Sequence, residues 1–277
     1  MSAPRQVSST AGAYALLGVA VLIVSVPILW IAGAGFRTQI SLLTGDLFFE
    51  PTLSSFADVL FSSTSDFLLN YRNSVVVGVL STALCLGVGT LAAWSLDRLD
   101  WPGWVVHLFL GWALVFQMMP PIALAEAWFG LERQVHLDNT FAGLVLAHAT
   151  LNLPMAVWLM GVFVRDVPNE LVEAAKIDGA TGPTLFWRIV LPIVAPGLAA
   201  TTVLCFVFSW NEFAVALNLT GRETATIPVA ISKFAQDFQI QYTQMAASAA
   251  LSILPALVLL IIAQRYIVSG LTTGALK

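Results

Sequence analysis

The stretch ELVEAAKIDGATGPTLFWRIVLP, residues 170–192, carries five charged side chains (Glu170, Glu173, Lys176, Asp178 and Arg188) in a chain that is only 10% charged. Long apolar runs flank it on both sides. Pro168 suits a first helical turn, where its missing N–H costs nothing. Asp166, Glu170 and Glu173 lie at or near that turn, where the helix dipole favours negative charge. Leu171, Ala174 and Ala175 recur at i, i+3 and i+4 and predict a narrow apolar face. Gly179 suits the left-handed residue that ends a helix. Thr181 then reads as the N-cap of a second helix, with Pro183 in its first turn. Leu185, Phe186 and Ile189 fall on one side of that helix before Pro192 opens the next apolar run. By local physics alone, the segment reads equally as an amphipathic interface loop or as a docking surface.

The flanking runs decide the solvent. With 58% hydrophobic residues and a mean hydropathy of +0.85, the chain has far fewer charges than the quarter or so of a soluble domain. Six windows hold no Asp, Glu, Lys or Arg: Arg5 to Arg37, Arg72 to Asp97, Asp100 to Glu126, Asp138 to Arg165, Arg188 to Glu212 and Asp237 to Arg265. Each can supply the roughly 20 apolar residues that a helix needs to cross about 30 Å of hydrocarbon. Backbone groups in lipid must be satisfied internally, so these spans are helices. The expected spans are 11–34, 73–96, 103–125, 140–164, 193–211 and 244–264, with a cytoplasmic segment at 166–190 between the fourth and fifth. The fold class is an all-α membrane protein, read as one domain over 1–277. The small residues "AGAG" at 32–35 also suit signal-peptide cleavage, but the first apolar run far exceeds a 7–15-residue signal core, so it is read as a retained helix.

Lys and Arg set the orientation. With the N-terminus inside, Arg5, Arg98, Arg165, Lys176, Arg188, Arg265 and Lys277 are cytoplasmic, and Arg37, Arg72, Arg133, Arg222 and Lys233 are outside. Seven against five favours both termini inside. The long connections, 35–72 and 220–243, are then external, with short helices expected in the first. The net charge of −4 and the lack of any basic cluster exclude a nucleic-acid partner. Cys85 and Cys205 fall inside apolar runs and read as packing residues. The scattered His107, His136 and His148 make no metal or catalytic constellation. No G-x-x-x-x-G-K-[ST] phosphate loop is present: "GATGPT", 179–184, lacks the Lys that reaches the phosphates. The chain is expected to be non-catalytic, with no cofactor or metal of its own.

The spacing in 170–192 is specific: "EAA" at 173–175, three residues, Gly179, nine residues, Ile189, one residue and "LP". It resembles the signature of the integral-membrane subunits of ATP-binding-cassette importers, closest to the MalG-like permeases of carbohydrate importers. "PTLSSFADVL" (51–60), "NYRNSVVVGVLST" (70–82), "AAWSLDRLDWPG" (92–103), "WNEFAVALNL" (210–219) and "QRYIVSGLTTGALK" (264–277) are similar to other family segments, although Trp94 stands where a Tyr is more usual. The resemblance covers nearly everything from Pro51 onward. It implies a type I importer permease fold in the bacterial inner membrane and a second, MalF-like permease. It also implies two ATPase subunits that bind ATP and Mg, an extracytoplasmic solute-binding protein and a surrounding lipid phase. On the same resemblance, Glu170, Glu173, Ala174, Ala175, Lys176, Asp178 and Gly179 form the coupling seat for the ATPase. The tail around Gly270, Leu276 and Lys277 also touches the ATPase.

Polar groups at membrane depth are costly and often functional. Gln117, His148, Asn152, Trp210, Asn211 and Glu212 are the candidates for a sugar path. His148 and Asn152 share a helix face and either line that path or bond a neighbouring helix. Glu126 and Glu212, at outer span ends, are either solvated or functional. Pro154 is expected to kink the fourth span. A stand-alone secondary transporter would need midplane charges for ion coupling, and a membrane-embedded enzyme would need clustered His, Asp and Glu. The sequence supplies neither.

Overall fold

The computed structural model describes residues 5–46, 48–236 and 239–274. It begins with a long helix, α1 (Arg5–Ala34), and two short ones, α2 (Gln39–Thr44) and α3 (Ser54–Phe61). The long α4 (Phe67–Arg98) follows, then α5 (Gly103–Met118), α6 (Pro121–Gln134) and α7 (Phe141–Arg165). The charged segment forms α8 (Asn169–Ile177) and α9 (Gly182–Leu185), which continues through a π-helical turn (Phe186–Val190) into α10 (Leu191–Ile193). After it come α11 (Ala195–Trp210), α12 (Ala214–Leu219) and α13 (Ile227–Ser232). A two-stranded hairpin, β1 (Ala235–Gln236) and β2 (Gln239–Ile240), pairs Ala235 with Ile240. Helices α14 (Tyr242–Ser252) and α15 (Leu254–Gly274) complete the described chain.

Among the described residues, four stretches are long and apolar enough to cross a membrane: Gly12–Ala34, Phe67–Arg98, Phe141–Arg165 and Tyr242–Gln264. Two bent pairs bring the number to six if each is one span: Gly103–Met118 with Pro121–Gln134, at 103°, and Gly182–Ile193 with Ala195–Trp210, at 76°. The expected third span, 103–125, is therefore not one straight helix. A residue before proline is pushed out of the α region, and Met119 and Pro120, each preceding a proline, are both extended. The expected fifth span, 193–211, begins only after a break at Val194. The fourth runs unbroken through Pro154. Large apolar side chains face outward: on α5, Trp104, Leu108, Trp112 and Val115 form an exposed stripe at helical spacing. Such a surface requires an apolar surrounding.

The helices divide into two compact units. In the first, Met1–Phe67 with Ile231–Ile253, α14 packs against α1 and α3. Gln39 ties α2 to the strand end, its Nε2 donating to Ile240 O at 2.6 Å. Arg37 is buried, stacked on Phe49 at 4.2 Å and donating to Asp46 O at 3.0 Å. Short helices, expected in 35–72, are present as α2 and α3.

In the second unit, Leu68–Ala230 with Leu254–Lys277, α11 packs on α7 and α15, while α12 packs on α6 and α7. Gly197 lets α11 close onto α7, because any Cβ there would overlap the Phe163 ring. One core joins Val77, Ala125, Leu144, Ala147, Val215 and Leu219. Cys85 and Cys205, both free, share an apolar cluster with Ala149 and Ala156.

Candidate functional site

The 166–190 segment has a buried back and an exposed front. Pro168 takes the N-cap position of α8, with Glu170 in the first turn and Lys176 in the last, both on the side the dipole favours. The buried face is Val172 and Ala175, with Val167 just ahead of the helix. Of the predicted apolar face, Leu171 and Ala174 are exposed and Ala175 is buried. Packing against Ala93, Met160 and Val164 selects the 172/175 stripe. The front carries Glu170, Glu173, Ala174 and Ile177 at i, i+3, i+4 and i+7, all exposed, with Ile177 87% accessible. Lys176 and Asp178 are exposed beside it.

Gly179 ends α8 with φ +83°, as its position predicts. Ala180 N donates to Ala175 O at 2.9 Å and Gly179 N to Lys176 O at 3.0 Å, the paired bonds of a Schellman end. Thr181 occupies the N-cap of α9 without capping it; its hydroxyl meets Thr184 Oγ1 at 3.1 Å. Leu185, Phe186 and Val190 turn inward.

Behind α8, Val172, Ala175 and Leu185 join Ala93 of α4, Met160 and Val164 of α7, and Val194 in one core. Arg98, the last residue of α4, closes the core's polar side. Its Nη2 donates to Val164 O at 3.1 Å and Val167 O at 2.6 Å, and its Nη1 to Asn169 Oδ1. Asp97 Oδ2 lies 2.9 Å from Arg98 Nε, an ion pair whose angle is too poor for a hydrogen bond, and Asp97 Oδ1 lies 3.6 Å from Arg165 Nε. Sequence reasoning passed over Arg98 as an ordinary cytoplasmic cation. Its place directly before the turn at 99–102 was the available signal.

Most of the residues proposed for a path gather in a second place, inside the second unit. His148 is fully buried, its Nδ1 2.8 Å from Ser209 Oγ, which Ser81 Oγ meets at 3.0 Å. His148 Nε2 faces Glu212 Oε2 at 3.5 Å, an ion-pair distance longer than a hydrogen bond. Glu212 accepts from Val215 N and Ala216 N, both at 2.8 Å, and so caps α12. Asn152 is buried, donating to His148 O at 3.0 Å. Trp210 is buried between Phe206, stacked at 5.6 Å, and Tyr71, edge-on at 5.6 Å. Gln117 and Asn211 are exposed; Asn211, between Trp210 and Glu212 in the chain, donates to Val207 O at 2.8 Å. Glu126 is exposed, whereas Glu132, also on α6, is 2% exposed, its carboxylate without a hydrogen bond. Gly270 lies in α15, while Leu276 and Lys277 lie outside the described residues. No metal-binding cluster occurs among the described residues.

Residues 85–273 match the family described as binding-protein-dependent transport system inner membrane component. The chain is 36% identical over 259 residues to the trehalose transport system permease protein SugB of Mycobacterium tuberculosis, covering 91% of this chain and 92% of that one. It is 31% identical to the trehalose/maltose transport system permease protein MalG of Thermococcus litoralis, covering 91% of each. Among solved structures, a chain of a bacterial ABC transporter that imports the acidic polysaccharide alginate superposes with a TM-score of 0.73 at 20% identity, covering 96% and 98% of the two chains. The alginate transporter in complex with an alginate pentasaccharide-bound periplasmic protein gives 0.68 at 14% identity, covering 92% of each. The fold is that of an ABC importer permease.

Proposed function

Because the chain belongs to the family of binding-protein-dependent transport system inner membrane components, we propose that it is one of two permease subunits that form a sugar path across the bacterial inner membrane. The other is a MalF-like permease. A di- or oligosaccharide is the cargo, delivered outside by a solute-binding protein. The named relatives that carry trehalose or maltose support this class of solute. Both termini face the cytoplasm. ATP and Mg are held by two copies of a separate ATPase, and this chain does no chemistry.

One observation carries the coupling. The front of α8 presents Glu170, Glu173, Ala174 and Ile177 to the outside while its back is fixed in a core. An exposed apolar residue beside carboxylates, on a helix held from behind, suits a cleft in a partner better than it suits water. Lys176, Asp178 and Gly179 form its edge, and Ala175 supports it from within. The tail from Gly270 to Lys277 adds a second ATPase contact. Closure of the ATPase dimer moves α8, and ATP drives the change because it binds one conformation better than the other.

The path in this chain is assigned to its exposed polar groups, Gln117 and Asn211. His148, Asn152, Trp210 and Glu212 act from within the bundle, holding the wall in shape. Purification in mild detergent through a tag on this chain, followed by mass spectrometry, tests the reading. A second multi-span permease and a phosphate-loop ATPase should copurify, and reversing Glu170 and Glu173 to Lys should release the ATPase alone. A chain that purifies without partners and transports in liposomes without ATP would overturn it.

A further inference from the structure

Helix α8 follows α7 after only three residues, Asp166, Val167 and Pro168. By itself such a turn would not hold the first turn of α8, ahead of the core contacts made by Val172 and Ala175. The last carbonyls of a helix lack intrahelical partners; here Val164 O accepts from Val167 N at 3.2 Å, and Arg98 adds side-chain bonds across the same junction. Its guanidinium bonds one carbonyl of α7, one in the turn and the side chain of the first residue of α8. The planar, always-charged fork fixes several directions at once, which a lysine cannot do. Trp94, one turn back on α4, lies under the guanidinium at 5.7 Å, and the Asp97 carboxylate beside it balances its charge. The Arg98 side chain is only 13% exposed, so water competes little for these bonds.

We propose that Arg98 is a positioning residue, the joint through which displacement of α8 is carried into α4 rather than lost in the turn at 166–168. The proposal rests on the coupling role given to α8. Helix α4 has 32 residues, and at about 1.5 Å per residue it reaches across the whole bilayer. At mid-length it contributes Ser81 to the His148 cluster. A push at α8 is thereby delivered to the interior of the bundle, and α7 and α4 receive it together.

The test is a distance. Spin labels are placed at Val79 on α4 and at Leu171 on α8, both exposed and the latter off the proposed contact stripe. The native cysteines are buried, which directs labelling to the introduced sites. The purified complex with its ATPase is measured without nucleotide and trapped with ADP and vanadate. With Arg98 intact, the α8 label changes mobility on trapping while the Val79–Leu171 distance holds. In Arg98→Leu the distance should shift or broaden on trapping by about 2 Å or more, the scale of helix displacements in switching proteins. Arg98→Lys and Asn169→Ala, milder changes that keep the fold, should give smaller effects of the same kind. If the distance stays as constant in all three variants as in the parent, Arg98 is not the joint. If the α8 label ignores trapping in the parent complex, the coupling reading itself fails.

Discussion

Ser209 is the centre of a chain of side chains that runs from Ser81 through His148 to Glu212. A hydroxyl both donates and accepts. Ser81 can thus give its proton to Ser209, Ser209 can give its own to His148 Nδ1, and the remaining imidazole N–H then points at the Glu212 carboxylate. Burying a polar group is costly unless it is partnered. Ser209→Ala removes the partner of His148 Nδ1 and leaves Ser81 with Gly78 O alone, at 3.3 Å; it should cost about 1–3 kcal/mol, read as a lower thermal midpoint in detergent. Asn211→Ala, next along but exposed, should change stability by no more than about 0.5 kcal/mol. Equal losses at the two sites would contradict the network.

At the scale of elements, α8 is defined by its end as much as by its face. Gly179 has open space around the position of a Cβ, so only its backbone angle excludes other residues. A left-handed non-glycine residue costs about 1–2 kcal/mol. Gly179→Ala should fray the last turn of α8, and Gly179→Val should do so more. Both should weaken ATPase copurification while leaving total helix content, measured by circular dichroism, unchanged. The same glycine was legible in the sequence, because a helix-ending glycine has a position that neighbouring residues announce. The inward face was not. Ala174 and Ala175 look alike in a helical wheel, and only the core of Ala93, Met160 and Val164 decides that Ala175 turns in and Ala174 turns out. The break at Met119–Pro120 was visible in the letters but masked by hydropathy, which counts apolar residues and ignores backbone angles.

Across the whole molecule, the proposed topology makes a labelling pattern. In intact cells, a membrane-impermeant maleimide should modify Phe61→Cys, at the end of α3 and 79% exposed. It should reach Leu171→Cys only after the membrane is opened. Labelling of Leu171→Cys from outside would invert the chain and remove α8 from the side where ATP is held. The margin of seven cations against five is narrow, which makes this the measurement on which the orientation depends.

The amino-acid sequence by itself determined the lipid solvent, the all-helical spans and the spacing that marks the 170–192 segment. These depend on composition and on local backbone preference, quantities that each stretch carries alone. Only the tertiary structure decided which polar residues meet. His148 and Glu212 are 64 positions apart, and Arg98 reaches Asn169 across 71. Such contacts are set by how helices cross, and a crossing is a property of two surfaces together. For that reason a residue that reads as one more cytoplasmic arginine becomes, once folded, the group that ties α8 to α4.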